Sequence, residues 1–314
     1  MSNLFDCRVA FAEKLCERAE LDERIVVVVN DSVSSGKLTE FGRRFPERLI
    51  NVGIAEQNMV GVAAGLARTG LTPIVSAASC FLTGRATEQI KVDVAYSRAG
   101  VKLVGMSPGV SYGALGATHH SIEDVSWMRA IPDLPIAVPS DDVDTAAALD
   151  AALSLDGPVF IRVPRTPLPR LVELRTPFRF GAHRVLRDGA DLLLCCNGVL
   201  THIALIAAER LALSGIETRV LEVGSVRPLD PVAISRNAHG VQGVVTIEEG
   251  VTAGGMGSAV VSALARQTAC RALSLGIDEF APTGSPEQIL RACRLDVDGL
   301  HATILDWLSA RHAA

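Results

Sequence analysis

Short β-branched runs without polar alternation constrain this chain more than any other feature. Residues 24–30 read RIVVVVN, and similar runs recur at 72–76, 101–104, 136–138 and 159–163. A strand with one wet face alternates, whereas a strand that does not is buried on both faces and belongs to a parallel sheet covered by helices. Apolar residues at helical spacing over 4–19, 57–68, 86–96, 123–130 and 143–153 supply the covering layers. The alternation predicts a doubly wound α/β domain over residues 1–170, with function at the carboxyl ends of its strands.

Four prolines, Pro164, Pro167, Pro169 and Pro177, stand among basic residues and predict an exposed connector without regular structure, placed at 171–182. A second α/β pattern fills 183–314, with strands at 191–196, 217–222 and 243–248 and helices near 201–214 and 256–268. The turn Gly254-Gly255-Met256-Gly257 opens the last of these helices, and its amides suit either an anion or plain packing, the commoner outcome. A length of 314 residues suits two domains, and 48% hydrophobic residues with mean hydropathy +0.30 exclude a disordered chain.

A net charge of -5 without a basic run predicts no nucleic-acid partner. Seven cysteines without a CxxC pair fit neither a disulfide framework nor a zinc site and are expected as reduced thiols. The lack of an apolar run of about 18 residues, or of any address signal, predicts a soluble cytoplasmic protein away from membranes.

The most informative segment is 41–70, FGRRFPERLINVGIAEQNMVGVAAGLARTG. A strand-like RLINV runs into Gly53, and Ile54-Ala55-Glu56-Gln57 opens a helix kept narrow by Gly61, Ala63, Ala64 and Gly65. On spacing alone, Glu56 is a first-turn acid favoured by the helix dipole. The order Phe41-x-x-x-Phe45-Pro46-Glu47-Arg48, then Asn51-x-Gly53-Ile54-Ala55-Glu56-Gln57-Asn58-Met59, resembles the pyrimidine-binding domain of transketolases and deoxyxylulose-phosphate synthases. The resemblance continues through Ser79-Cys80-Phe81-Leu82, Gly116-Ala117-Thr118-His119, Pro139-Ser140-Asp141 and Gly157-Pro158-Val159 to Glu248-Glu249 and Gly254-Gly255, nearly the whole chain.

That resemblance implies two doubly wound domains, a thiamine-diphosphate pyrimidine-binding fold followed by a transketolase C-terminal-like domain. It makes Glu56 the acid that hydrogen-bonds and activates the cofactor's aminopyrimidine, with burial expected to raise its pKa toward working pH. It puts Phe81 and Ile54 against that ring, assigns His119 to the donor's hydroxyl groups, and gives Arg8, Ser35 and Arg165 the anionic end of a sugar phosphate. Each has a plainer reading: Phe81 as a core aromatic, His119 as a loop histidine, Arg8 and Arg165 as surface charges.

Three positions depart from the family. Leu115 stands where sugar-processing enzymes carry an acid, Ser107 where a phosphate-contacting histidine is expected, and Gly84 where a second ring-stacking aromatic belongs. Together they predict a variant ketose, or another acyl donor, in place of the ordinary pentose-phosphate sugars. The chain also has no Gly-Asp-Gly tripeptide of the kind that holds Mg2+ and the diphosphate in full-length members. The inference is a split transketolase in which a separate amino-terminal subunit supplies the metal site, this chain supplies none, and two copies of each assemble as α2β2. Two alternatives share the architecture: the β subunit of a 2-oxo acid decarboxylating component, and a non-catalytic partner protein.

Overall fold

The computed structural model describes residues 3–171, 176–267 and 270–310. In chain order, β1 (Leu4–Phe5) and α1 (Cys7–Leu21) lead to β2 (Ile25–Val29), α2 (Thr39–Arg44), β3 (Leu49–Asn51), α3 (Glu56–Arg68) and β4 (Thr72–Ala78). Then come α4 (Ser79–Arg85), a short α5 (Thr87–Gln89) running into a π-helical stretch Ile90–Tyr96, β5 (Lys102–Met106), α6 (Asp124–Ala130), β6 (Ile136–Ala137), α7 (Asp142–Leu153), β7 (Val159–Val163) and β8 (Leu168–Pro169). The second half contributes β9 (Arg184–Arg187), β10 (Leu192–Cys196), α8 (Leu200–Leu213), β11 (Thr218–Glu222), β12 (Ser225–Arg227), α9 (Pro231–Ala238), β13 (Val244–Ile247), α10 (Met256–Ala265), β14 (Ala272–Leu275), α11 (Pro286–Ala292) and α12 (Val297–Ser309).

Among the described residues the strands form a seven-stranded sheet, ordered β12-β6-β7-β5-β4-β2-β3, and a five-stranded sheet, ordered β14-β13-β10-β11-β9, beside the small antiparallel pair β1-β8. Both larger sheets are parallel except at one edge, where β12 and β9 run antiparallel to their neighbours. Every residue of β2, β5, β7 and β10 is buried, as expected for strands covered on both faces. Two charged side chains lie within these strands, and both are partnered. Lys102 donates to the carbonyls of Leu155 and Gly157 at 2.6 Å, and burial pushes its amine down to about 8. Arg162 joins a buried network described below. Strand β12 comes from the second half of the chain yet completes the first sheet, pairing Ser225 with Ala137 and Arg227 with Ile136.

Local chemistry explains where the sequence pattern misplaced elements. The first helix begins at Cys7 rather than near Leu4, because Asp6 caps it by accepting from the Arg8 amide at 3.0 Å. Leu4 and Phe5 instead pair with Pro169 and Leu168, so the proline-bearing stretch just before the 171–182 connector carries a two-residue strand where none was expected. The helix expected over 86–96 is divided, α4 beginning seven residues earlier at Ser79. The helix expected to reach 268 ends at Ala265, and Thr268 lies outside the described residues. All seven cysteines are free thiols, and no described helix is long and apolar enough to cross a membrane.

Candidate active site

Glu56, Phe81, His119 and Arg165, together with Asn30, follow the carboxyl ends of the first sheet's parallel strands, whereas Arg8 lies in α1. Asn30 follows β2, Glu56 opens the helix after β3, Phe81 lies three residues past β4, His119 is in the loop after β5 and Arg165 is two residues past β7. Parallel packing aims all five loops at one edge.

Glu56 is 3% exposed. Its Oε1 accepts from Asn30 Nδ2 at 2.7 Å, and Arg85 Nη1 donates to Oε1 and Oε2 at 3.0 and 3.1 Å. The expected rise in its pKa is not found. Burial does push the carboxyl up, but its own backbone amide, Asn30 and Arg85 together outweigh burial and hold it below the ordinary glutamate value. In this state Glu56 is an ionised carboxylate.

Arg85 also lies over the Phe81 ring, its guanidinium carbon 4.1 Å from the centroid. Phe81 meets the His119 ring edge-on at 5.2 Å, His119 meets Tyr112 at 5.4 Å, and the Arg165 guanidinium caps Tyr112 at 5.3 Å. A continuous string of planar groups therefore runs from Glu56 to Arg165. It unites four of the expected residues and adds Asn30, Arg85 and Tyr112. Arg85 was detectable, since a position four residues after Phe81 on one helix faces the same way. Asn30 lay under the strand-end rule, while nothing in the sequence marked Tyr112.

Arg8 and Ser35 form a neighbouring group. Arg8 is buried and donates through Nε and Nη2 to Asp6 at 3.0 and 2.7 Å, and through Nη1 to the Ser35 carbonyl at 3.1 Å. The Ser35 hydroxyl donates to the Ser32 carbonyl, and the Ser32 hydroxyl to Asn30 Oδ1 at 2.6 Å, so this group reaches Glu56 through Asn30. In this state Arg8 is occupied by protein partners, whereas Arg165 is half-buried with no protein anion on it among the described residues.

The loop after β5 is fastened to the second half of the chain. Gly109 (φ +60) has no room for a side chain, because a Cβ there would collide with the Glu249 carboxylate. Glu249 Oε1 accepts from the Val110 amide at 3.1 Å. Arg162 donates to Asp124 at 3.1 Å and to the carbonyls of Ser121 and Glu249 at 3.2 and 2.7 Å. Of the departures, Leu115 is 53% exposed in this loop, while Ser107 is 1% exposed. The space left by Gly84 is taken by Trp127, whose ring would touch a Cβ there at 3.2 Å. At the start of α10 the amides of Met256 and Gly257 are occupied by Glu248, at 2.7 and 2.8 Å, so that turn packs against its own carboxylate.

An open cleft of about 530 Å³ lies beside Glu56, lined by Ile54, Ala55, Gln57, Asn58 and Arg85. Its chemistry fits an aminopyrimidine: a carboxylate for ring N–H groups and Ile54, 79% exposed, as an uncovered apolar contact, with the Phe81 ring lying under Arg85.

Residues 4–170 match the transketolase pyrimidine-binding domain family, and residues 181–300 match the transketolase C-terminal domain family. The chain is 36% identical over 310 residues to a subunit of the apulose-4-phosphate transketolase of Phocaeicola vulgatus, covering 98% of this chain and 99% of that protein. It is 39% identical over 257 residues to the 6-deoxy-6-sulfo-D-fructose transketolase subunit SqwH of a Clostridium species, covering 82% and 80%. A solved split-gene transketolase, described as an inactive β4 tetramer, superposes with a TM-score of 0.88 at 32% identity, covering 98% of this chain and 99% of that one. These relatives favour transketolase over a 2-oxo acid decarboxylating component. Two family matches along its length and an end-to-end likeness to a split-gene transketolase establish that the chain belongs to the transketolase family.

Proposed function

We propose that this chain is the carboxy-terminal subunit of a split, thiamine diphosphate-dependent transketolase that moves a two-carbon ketol unit from an anionic ketose to an aldehyde. The observation that carries this reading is that Arg85 joins the Glu56 carboxylate, which lines the cleft, to the Phe81 ring, with His119 edge-on to Phe81.

When bound, thiamine diphosphate supplies the carbon nucleophile that opens the ketose between C2 and C3. Glu56 holds the aminopyrimidine through its carboxylate and exchanges a proton with it, which a neutral amide side chain could not do. Phe81 and Ile54 seat the ring. His119 has Nδ1 engaged by the Thr118 hydroxyl at 2.9 Å, leaving Nε2 for the donor's hydroxyl groups. Arg165, with Arg8 and Ser35, holds an anionic tail. The relatives' names support such a donor, one being a ketose phosphate and the other a sulfo-sugar. Leu115 gives this loop an apolar surface in place of an acid, in keeping with a sugar outside the ordinary pentose-phosphate set.

Mg2+ and the diphosphate belong to a separate amino-terminal subunit, and two copies of each chain assemble as a cytoplasmic α2β2 enzyme. The inactivity ascribed to the β-only relative agrees with a requirement for that partner. The test is to tag the chain in its own host, purify it gently and assay the denatured eluate. Thiamine diphosphate and a second chain in matching amounts are expected. A lone chain free of cofactor, with Mg2+ and thiamine diphosphate present throughout, would refute the reading and return the non-catalytic one.

A further inference from the structure

Arg85 makes two contacts that a bound aminopyrimidine would also need. Its Nη1 donates to both oxygens of Glu56, and its guanidinium carbon lies over the Phe81 ring, 4.1 Å from the centre. A planar group with N–H donors on its edge and a stacking face is, in shape and hydrogen bonding, a small counterpart of an aminopyrimidine. The stacking layer above an aromatic ring is one atom thick, so the guanidinium and a pyrimidine cannot share the face of Phe81 that Arg85 covers.

We propose that Arg85 is a gate on the pyrimidine site: in the cofactor-free chain it occupies the place of the ring, and the cofactor enters only as Arg85 swings away. The proposal rests on the assignment of Glu56 and Phe81 to the pyrimidine made above. Two features of the structure make the movement easy. Arg85 is the last residue of α4, and its side chain is half-exposed, so a change of rotamer carries it into solvent without disturbing packing. The only partners of its guanidinium among the described residues are Glu56 and Phe81.

The gate has a chemical consequence. While Arg85 is closed, Glu56 is held ionised by a cation and by Asn30. Opening removes the cation and leaves Asn30, so the carboxylate becomes more basic at the moment the ring arrives to exchange a proton with it. Arg85 is in this sense a positioning residue that acts through Glu56.

The test uses the chain purified with its partner and freed of cofactor. Thiamine diphosphate is titrated calorimetrically in the presence of Mg2+ into the wild type, Arg85→Ala, Arg85→Lys, Glu56→Ala and Phe81→Ala. Removing a half-exposed ion pair and one cation–π contact from the closed state should make Arg85→Ala bind about five- to tenfold tighter than wild type. Arg85→Lys keeps the charge and loses the plane, so an intermediate gain is expected, and it serves in place of the alanine variant should that one fail to assemble. Glu56→Ala and Phe81→Ala should bind more weakly. Unchanged or weaker binding by the Arg85 variants, with Glu56→Ala and Phe81→Ala both weakened, would overturn the gate and leave the site assignment standing. Unchanged binding by Glu56→Ala and Phe81→Ala would instead show that the pyrimidine lies elsewhere, and the gate would fall with it.

Discussion

Arg162→Met should destabilise the chain by about 4 kcal/mol, because removing one member of a buried ion pair costs roughly 3–5 kcal/mol. The side chain of Arg162 is 5% exposed and that of Asp124 is fully buried, so water cannot replace the lost guanidinium. Asp124 would keep only the Ser79 hydroxyl, at 2.7 Å, and the Val125 amide, at 2.8 Å, against a full buried charge. The carbonyls of Ser121 and Glu249 would each lose a donor, and Glu249 would lose the cation that lies 4.0 Å from its Oε2. Against a typical native stability of about 5–15 kcal/mol, this is a large fraction. Urea unfolding followed by circular dichroism should show a midpoint lower by more than about 1 M. The double variant with Asp124→Asn should recover part of the loss, since it removes the stranded charge. A loss below about 1 kcal/mol, or no recovery in the double variant, would refute the claim that this network is desolvated.

Further outcomes follow from the same geometry. Glu56→Gln keeps the shape of the side chain and its contact with Asn30 but cannot exchange a proton, so turnover of the assembled enzyme should fall by roughly 10²–10⁴-fold with assembly intact by gel filtration. Leu115→Asp should lower turnover with the true donor by restoring an acid to an exposed apolar position, and unchanged steady-state kinetics would discard Leu115 as a specificity determinant. Burial pushes Glu249 up to about 7 against the opposing pull of Arg162 and the Val110 amide. The folded state then binds the proton more tightly than the unfolded one, so this group's contribution to stability is complete below about pH 4.5 and is lost as pH rises to about 7. Glu249→Gln should flatten that slope, by up to about 3 kcal/mol across the interval, in denaturation midpoints measured from pH 5 to 8.

The buried strands were legible because burial on both faces leaves one simple mark, an unbroken β-branched run. Strands β2 and β7 lie within a residue of where those runs place them. The edge elements β9, β12 and β14 were not, since a strand such as Ser225-Val226-Arg227 is made by its partner rather than by its own composition. The same division holds at the site. Glu56, Phe81 and His119 stood out by motif, whereas the ionisation state of Glu56 depends on Asn30 and Arg85, which lie 26 and 29 residues away and meet it only after folding. Burial alone predicted the wrong direction for its pKa, because it omits the donors that accompany burial here, the residue's own backbone amide and the distant Asn30 and Arg85.

Strand β12 bears on how the chain can be cut. Ala137 and Ile136 present their backbone groups to Ser225 and Arg227, and the Val138 amide donates to the Gly224 carbonyl at 2.8 Å. A fragment stopped in the proline-rich connector would keep the pyrimidine site residues and lose this strand. The margin of β6 would then display unpaired amides and carbonyls beside an apolar run, a ready template for adding foreign strands. Such a fragment should aggregate on expression, and domain dissection of this chain should carry residues 224–227 along, or blunt the bared margin with charge.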